Sequence, residues 1–308
     1  RIVPPAAELH DMTALAILLD GLVYAAWLFI VAIGLTLIFG VMKVLNVAHG
    51  GLYAFGAYSA ATAIGVYFDR GWPLAGGLLL MAAAALAIGF VIGFVLERAL
   101  LKNFYDKDEI ITALVTYAAF LILEDLLLLI WGPQGLFVPQ PYRAMGVVTI
   151  GGFPIAVYDL MLIGLAALLA AATWYCIHKT RFGRMLIAVL YDRETAAAFG
   201  VNVNKVYVVT FLIGSMLGAL GGAVAAPRMS LSAGIGVEVI VTAFAVIAIG
   251  GMSSIGGALA GALIVGFARA FAVHFAPTLD LFVVYVVMAI VLVVRPYGLL
   301  GSPVARRI

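Results

Sequence analysis

The chain has 308 residues, of which 66% are hydrophobic and only 10% charged, with a mean hydropathy of +1.20. An average soluble domain carries about a quarter charged residues, so this composition excludes a soluble globular enzyme and marks an integral membrane protein. The net charge of +2 gives no reason to expect a nucleic-acid partner, and the single cysteine, Cys176, leaves no disulfide framework or Cys/His metal site.

The opening RIVPPAAELHDM lacks the basic segment and short apolar core of a cleavable signal, so the first span is expected to act as the insertion signal, with Met12 a candidate initiator. A transmembrane helix needs about 20 apolar residues. Such runs cover residues 14–39, 51–68, 73–95, 110–131, 158–176 and 206–226, and shorter ones cover 237–250, 258–275 and 279–294. The expectation is an all-α polytopic helical bundle, a single transmembrane domain over residues 1–308, with eight or nine membrane helices and broken or re-entrant segments. Its many Gly/Ala runs let helix backbones approach closely.

The first break is GVMKVLNVAHGGLYAFGAY, residues 40–58, where Asn46, His49, Gly50 and Gly51 interrupt the apolar pattern. Polar backbone at membrane depth is tolerated only where protein or a water-filled cavity satisfies it, and broken helices mark transport pathways. These residues therefore read as lining or supporting a pathway; the alternative is an ordinary turn with a solvated His49. In ILEDLLLLIWG, Glu124 and Asp125 lie about 10 Å from the end of their helix, too deep for short acids to reach water. Adjacent residues point about 100° apart around a helix, so the two acids cannot share one cavity, and a structural pairing role is expected.

Residues 132–157 contain Pro133, Pro139, Pro141 and Pro154 between short β-branched runs, which predicts an ordered loop or small hairpin. Residues 177–205 form a long polar connection. Within it Asp192 to Phe199 reads as a short helix with Asp192 and Glu194 at its start, Ala196, Ala197 and Phe199 as an apolar face, and Gly200 as a left-handed cap. The second break is IGGMSSIGGALAGALIVG, residues 249–266, with Ser253 and Ser254 at its centre and a weak likeness to the first.

Alternating nine spans from an inside 177–205 connection puts twelve of the 17 Lys and Arg residues on that side, among them Lys43, Lys179, Arg181, Arg184 and Arg193. Arg1, Arg70, Arg143 and Arg228 fall on the other side and Arg269 inside a span. The bias of basic residues toward inside loops then places the C-terminus in the cytoplasm.

Four motifs carry a family resemblance: NVAHGGLYAFGAY, TRFGRMLIAVLYDRETAAAFGVNVNKV, GGMSSIGGALAGA and the terminal VVRPYGLLG. Together they resemble the high-affinity branched-chain amino acid ABC importer permeases over nearly the whole chain. The resemblance implies a bacterial inner-membrane importer. A second homologous permease, two cytoplasmic ATPases that bind ATP and Mg, and a periplasmic substrate-binding protein would be its partners in the lipid bilayer. It also implies that Arg184, Asp192, Glu194, Ala197, Phe199, Gly200 and Asn202 belong to an ATPase-docking segment. Glu124 and Asp125 stand where the family often has uncharged amides, and the family includes permeases for urea, short amides and other small solutes, which leaves the substrate open.

There is no G-x-x-x-x-G-K-[ST] sequence to cradle phosphates, and the four histidines are scattered, so neither an ATPase nor an intramembrane enzyme is expected in this chain. An ion-coupled secondary transporter using Glu124 or Asp125, and a scaffolding subunit without a pathway, are the rival readings.

Overall fold

The computed structural model describes residues 6–105 and 107–301, with side-chain surroundings from residue 13 onward; Arg1, Arg306 and Arg307 lie outside the described residues. Twelve α-helices follow in order: α1 (Ala6–Met42), α2 (His49–Asp69), α3 (Leu74–Ala99), α4 (Glu109–Trp131), α5 (Gln140–Ala144), α6 (Val157–Lys179), α7 (Arg181–Tyr191), α8 (Arg193–Ala198), α9 (Val203–Ala225), α10 (Ile235–Gly250), α11 (Ile255–Phe275) and α12 (Asp280–Val294). All nine expected spans are helices. Six of these helices are long and apolar enough to cross a membrane, and α10 is one of two shorter apolar helices. The chain is a multi-pass membrane protein.

Helices α1, α2 and α9 form the centre. Leu28, Ile30, Ile33 and Leu35 of α1, Leu52, Tyr53 and Tyr58 of α2, and Phe211 of α9 are fully buried. At 1.5 Å per residue α1 is about 55 Å long, well beyond the roughly 30 Å of a hydrocarbon core. Small residues bring the centre together, because α3 and α9 meet at Gly89 and Ala219, and α1 and α11 meet at Gly21 and Gly266. The outer helices turn apolar side chains outward instead, including Leu129 of α4, Leu168 of α6 and Val293 of α12, as a lipid-facing surface requires.

One end of the bundle gathers Lys43, Lys107 and Arg193 around a groove and is called the basic face here. The opposite end carries α5 and an antiparallel hairpin, β1 (Val147–Ile150) and β2 (Phe153–Ala156), paired Val148 to Ile155. Gly151 and Gly152 make its turn, both with positive φ. The hairpin expected from the prolines of 132–157 is therefore present.

Candidate functional site

The first break does not end as a surface turn. After α1 reaches the basic face, Lys43 takes a positive φ of 55°, residues 43–46 lead back into the bundle without regular structure, and a turn at Val47 and Ala48 opens α2 there. Thr116 of α4 makes this possible: its hydroxyl accepts the Val47 N–H at 3.2 Å and lies 2.9 Å from the Leu45 carbonyl oxygen. Gly51 sits against Leu123, fourteen residues into α4 and so about 21 Å from its start. Helix α2 thus starts at roughly half depth.

A second half-helix starts beside it. Residues 226–234 return from the hairpin face, Gly234 takes a positive φ of 86°, and α10 begins with Gly236 against the backbone of Gly50. Two helix N-termini therefore meet inside the bundle, where their unpaired N–H groups and dipoles favour negative charge. Glu124 supplies it, its Oε2 accepting the Gly234 N–H at 3.1 Å. Glu124 thus bonds the backbone at the start of α10, whereas Asp125 is exposed.

Asn46 and His49 are fully buried, which corrects the alternative of a solvated loop histidine. The His49 ring is wedged between Gly34 and Gly218, and its Nε2 donates to the Val31 carbonyl at 3.1 Å. A Cβ at Gly218 would come within 2.6 Å of that ring. Among the described residues neither amide atom of Asn46 has a hydrogen-bond partner. Asn46, His49, Gly50 and Gly51 stand together, as supports of the α2 and α10 junction.

Ser253 and Ser254 are elsewhere. They form a short turn at the basic face between α10 and α11, where Ser254 Oγ caps α11 by accepting the Gly257 N–H at 3.0 Å. Both line an apolar cavity of about 530 Å³ bounded by Thr36 and Gly40 of α1, Trp174 of α6, and Leu186 and Leu190 of α7. The two predicted pathway groups are thus separated by roughly half the bundle. The deep counterpart of 43–48 is 226–234, which the sequence reading passed over.

The 177–205 connection holds two helices. Thr180 Oγ1 caps α7 by accepting the Gly183 N–H at 3.0 Å, and Leu186 and Val189 bury its apolar side. Asp192 is the cap of α8, its Oδ1 accepting from Glu194 N at 3.0 Å and Thr195 N at 3.1 Å, and Glu194 lies in the first turn. Gly200 has φ +83° and closes the helix as expected, with Val201 N bonded to Ala196 O. Asn202 caps α9 through Lys205 N at 2.9 Å.

One expectation needs correction here. Ala196 turns inward, whereas Ala197 is exposed and Phe199 is 84% exposed, so the three do not form one apolar face. Instead Phe199 and Tyr191, 85% exposed, project from the corner between α7 and α8. Arg184 is exposed on the same segment. The corner is tied down from behind, Arg193 reaching the Tyr105 carbonyl at 3.4 Å and the Tyr105 ring packing edge-on against Tyr207. Burial, and then the hydrogen bond it donates to Glu97, push the Tyr105 hydroxyl above its ordinary pKa, so this brace stays protonated and donating.

The comparisons with known proteins bear on this architecture. The sequence profile of the family described as branched-chain amino acid transport system / permease component matches residues 17–292. The high-affinity branched-chain amino acid transport system permease protein BraD of Pseudomonas aeruginosa is 26% identical over 297 residues, covering 94% of this chain and 97% of that protein. LivH of Escherichia coli K12, of the same description, is 26% identical with 94% and 96% covered. The ribose import permease protein RbsC of Escherichia coli K12 is 28% identical over 252 residues, covering 77% and 72%. Among solved structures, PsaBC from Streptococcus pneumoniae in complex with Fab superposes with a TM-score of 0.50 at 14% identity, covering 93% of this chain and 95% of that one, a likeness of fold.

Proposed function

The chain belongs to the branched-chain amino acid transport system permease component family, and from that premise we propose that it is the membrane-spanning subunit of an importer for branched-chain or other small apolar amino acids. It is a transport component and not itself a catalyst. A homologous permease would complete the pathway, two ATPases holding ATP and Mg would bind the basic face, and a substrate-binding protein would dock on the hairpin face. The basic face is then cytoplasmic, and the protein sits in a bacterial inner membrane with its C-terminus inside.

The observation that carries this reading is the α7–α8 corner. It is braced against the bundle yet presents Tyr191, Phe199, Arg184 and Glu194 outward. Aromatic residues with arginine are the composition of a protein-docking patch. A push on this corner travels through Leu186 and Leu190 to the cavity that Ser253 and Ser254 line, and through α9 to the glycine contacts around His49. The junction of α2 and α10 would be the element that reorients, supported by Asn46, His49, Gly50 and Gly51. Its two helix dipoles offer weak binding suited to release.

The test is reconstitution in proteoliposomes. The complete complex should accumulate L-leucine only with ATP inside and loaded binding protein outside, and the permeases alone should be inert. Uptake on an ion gradient without ATPases would establish the secondary-transporter reading instead.

A further inference from the structure

Below the hairpin face lies a pocket of about 330 Å³ whose walls include Tyr24, Trp27, Tyr142, Arg228, Glu238 and Arg269. These residues come from α1, α5, α10, α11 and the returning segment 226–234, so α10, whose first turn meets α2 at the junction, also forms part of the pocket wall. Its charges are unevenly satisfied. Arg269 is held by Asp280 through two bonds, at 2.5 and 2.8 Å, and stacks over the Tyr24 ring at 4.1 Å. Arg228 Nε is 3.0 Å from Asp159, which also accepts from Tyr142 at 3.2 Å. Each guanidinium thus has its own carboxylate.

Glu238 is the third acid. Its backbone carbonyl receives Thr242, but among the described residues its carboxylate has no hydrogen bond or ion pair, and its side chain is exposed to the pocket. A carboxylate exposed on a pocket wall and left without a partner there is placed to meet a cation that enters. With Arg269 held by Asp280 and Arg228 beside Asp159, Glu238 is the acid on the pocket wall that neither guanidinium pairs with. Trp27 and Tyr142 add aromatic rings that attract an ammonium group and accommodate apolar side chains.

We propose that this pocket receives the zwitterionic amino acid after the binding protein releases it, with Glu238 as the counter-ion of its ammonium group. The inference rests on the importer reading and sharpens its substrate class to molecules with a primary amine. Arg228 on the pocket wall, its Nε beside Asp159, is the group assigned to the carboxylate of the amino acid.

Binding of radiolabelled L-leucine to the nanodisc-embedded complex, without binding protein, tests it with two competitors. The amine 3-methylbutylamine should displace leucine and the amine-free acid 4-methylpentanoate should not. Glu238→Gln should weaken leucine binding about tenfold or more, the factor that one hydrogen bond to a charged group is worth, and Glu238→Asp should recover part of it. Equal displacement by both competitors, unchanged binding in Glu238→Gln, or no leucine binding by the wild type overturns the assignment. Leucine uptake by the complete wild-type complex, measured in parallel, reports on the importer reading separately. Uptake without Glu238-dependent binding rejects the pocket alone, whereas Glu238-dependent amine binding without leucine uptake supports the pocket and rejects the amino-acid importer.

Discussion

The two polar interruptions, 43–48 and 251–254, carry similar residues and end at different depths. The first has six residues of irregular chain, a hydroxyl on α4 to bond its backbone, and glycines on α9 and α10 that leave room for His49 and Gly50 at its end. The second is a tight turn whose Ser254 caps the next helix at once. Glycine and polar residues between spans are therefore compatible with either outcome. What decides is whether a neighbouring helix offers a partner for bare backbone, since water cannot reach it.

If that contrast is right, disturbing the deep break should cost far more than disturbing the shallow one. The largest effect is expected for Gly51→Leu. A Cβ there would lie 2.7 Å from the Leu123 Cδ1 atom, so leucine forces α2 away from α4, and uptake per assembled complex should fall to background. Adding Leu123→Ala should restore a measurable part. Gly218→Ala presses on the His49 ring and should destabilise by about 1–3 kcal/mol, read as a lower unfolding temperature of the purified complex. At the shallow break, Ser254→Ala removes one cap, about 1 kcal/mol, and should leave uptake near that of the wild type. The smallest effect is expected for Glu124→Gln with Asp125→Asn. Glutamine retains an oxygen to accept the Gly234 N–H, so uptake should persist without altered ion dependence. A loss larger than that of Gly218→Ala would mean that charge, and not capping, is what α10 requires.

Much of this was legible in the sequence. The nine spans followed from apolar runs because a membrane helix must satisfy its own backbone, and the α8 start and stop followed from Asp192 and Gly200, whose chemistry is local. Depth was not legible. The return of 43–48 depends on Thr116, some seventy residues away, and that of 226–234 on Glu124, more than a hundred away. Helix α7 was hidden because RFGRMLIAVLY is a mostly apolar run of 11 residues, too short for a membrane span, set between the charged residues of a connection that is polar around it. The acids of the hairpin-side pocket are scattered along the chain. Arg269 inside a span was the available signal, since a buried guanidinium implies a carboxylate nearby, and Asp280 is only eleven residues on.

In the proposed importer the α7–α8 corner would transmit the ATPase motion while the buried junction responds to it. ATPase activity of the reconstituted complex, with and without loaded binding protein, tests this most directly in two corner variants. Gly200→Val places a β-branched residue at φ +83° and unwinds the α8 cap, and Glu194→Lys reverses the charge in its first turn. Both complexes should assemble and lose the stimulation by loaded binding protein. Stimulation equal to that of the wild type in both variants would contradict the account and leave residues 177–205 as a connection between spans.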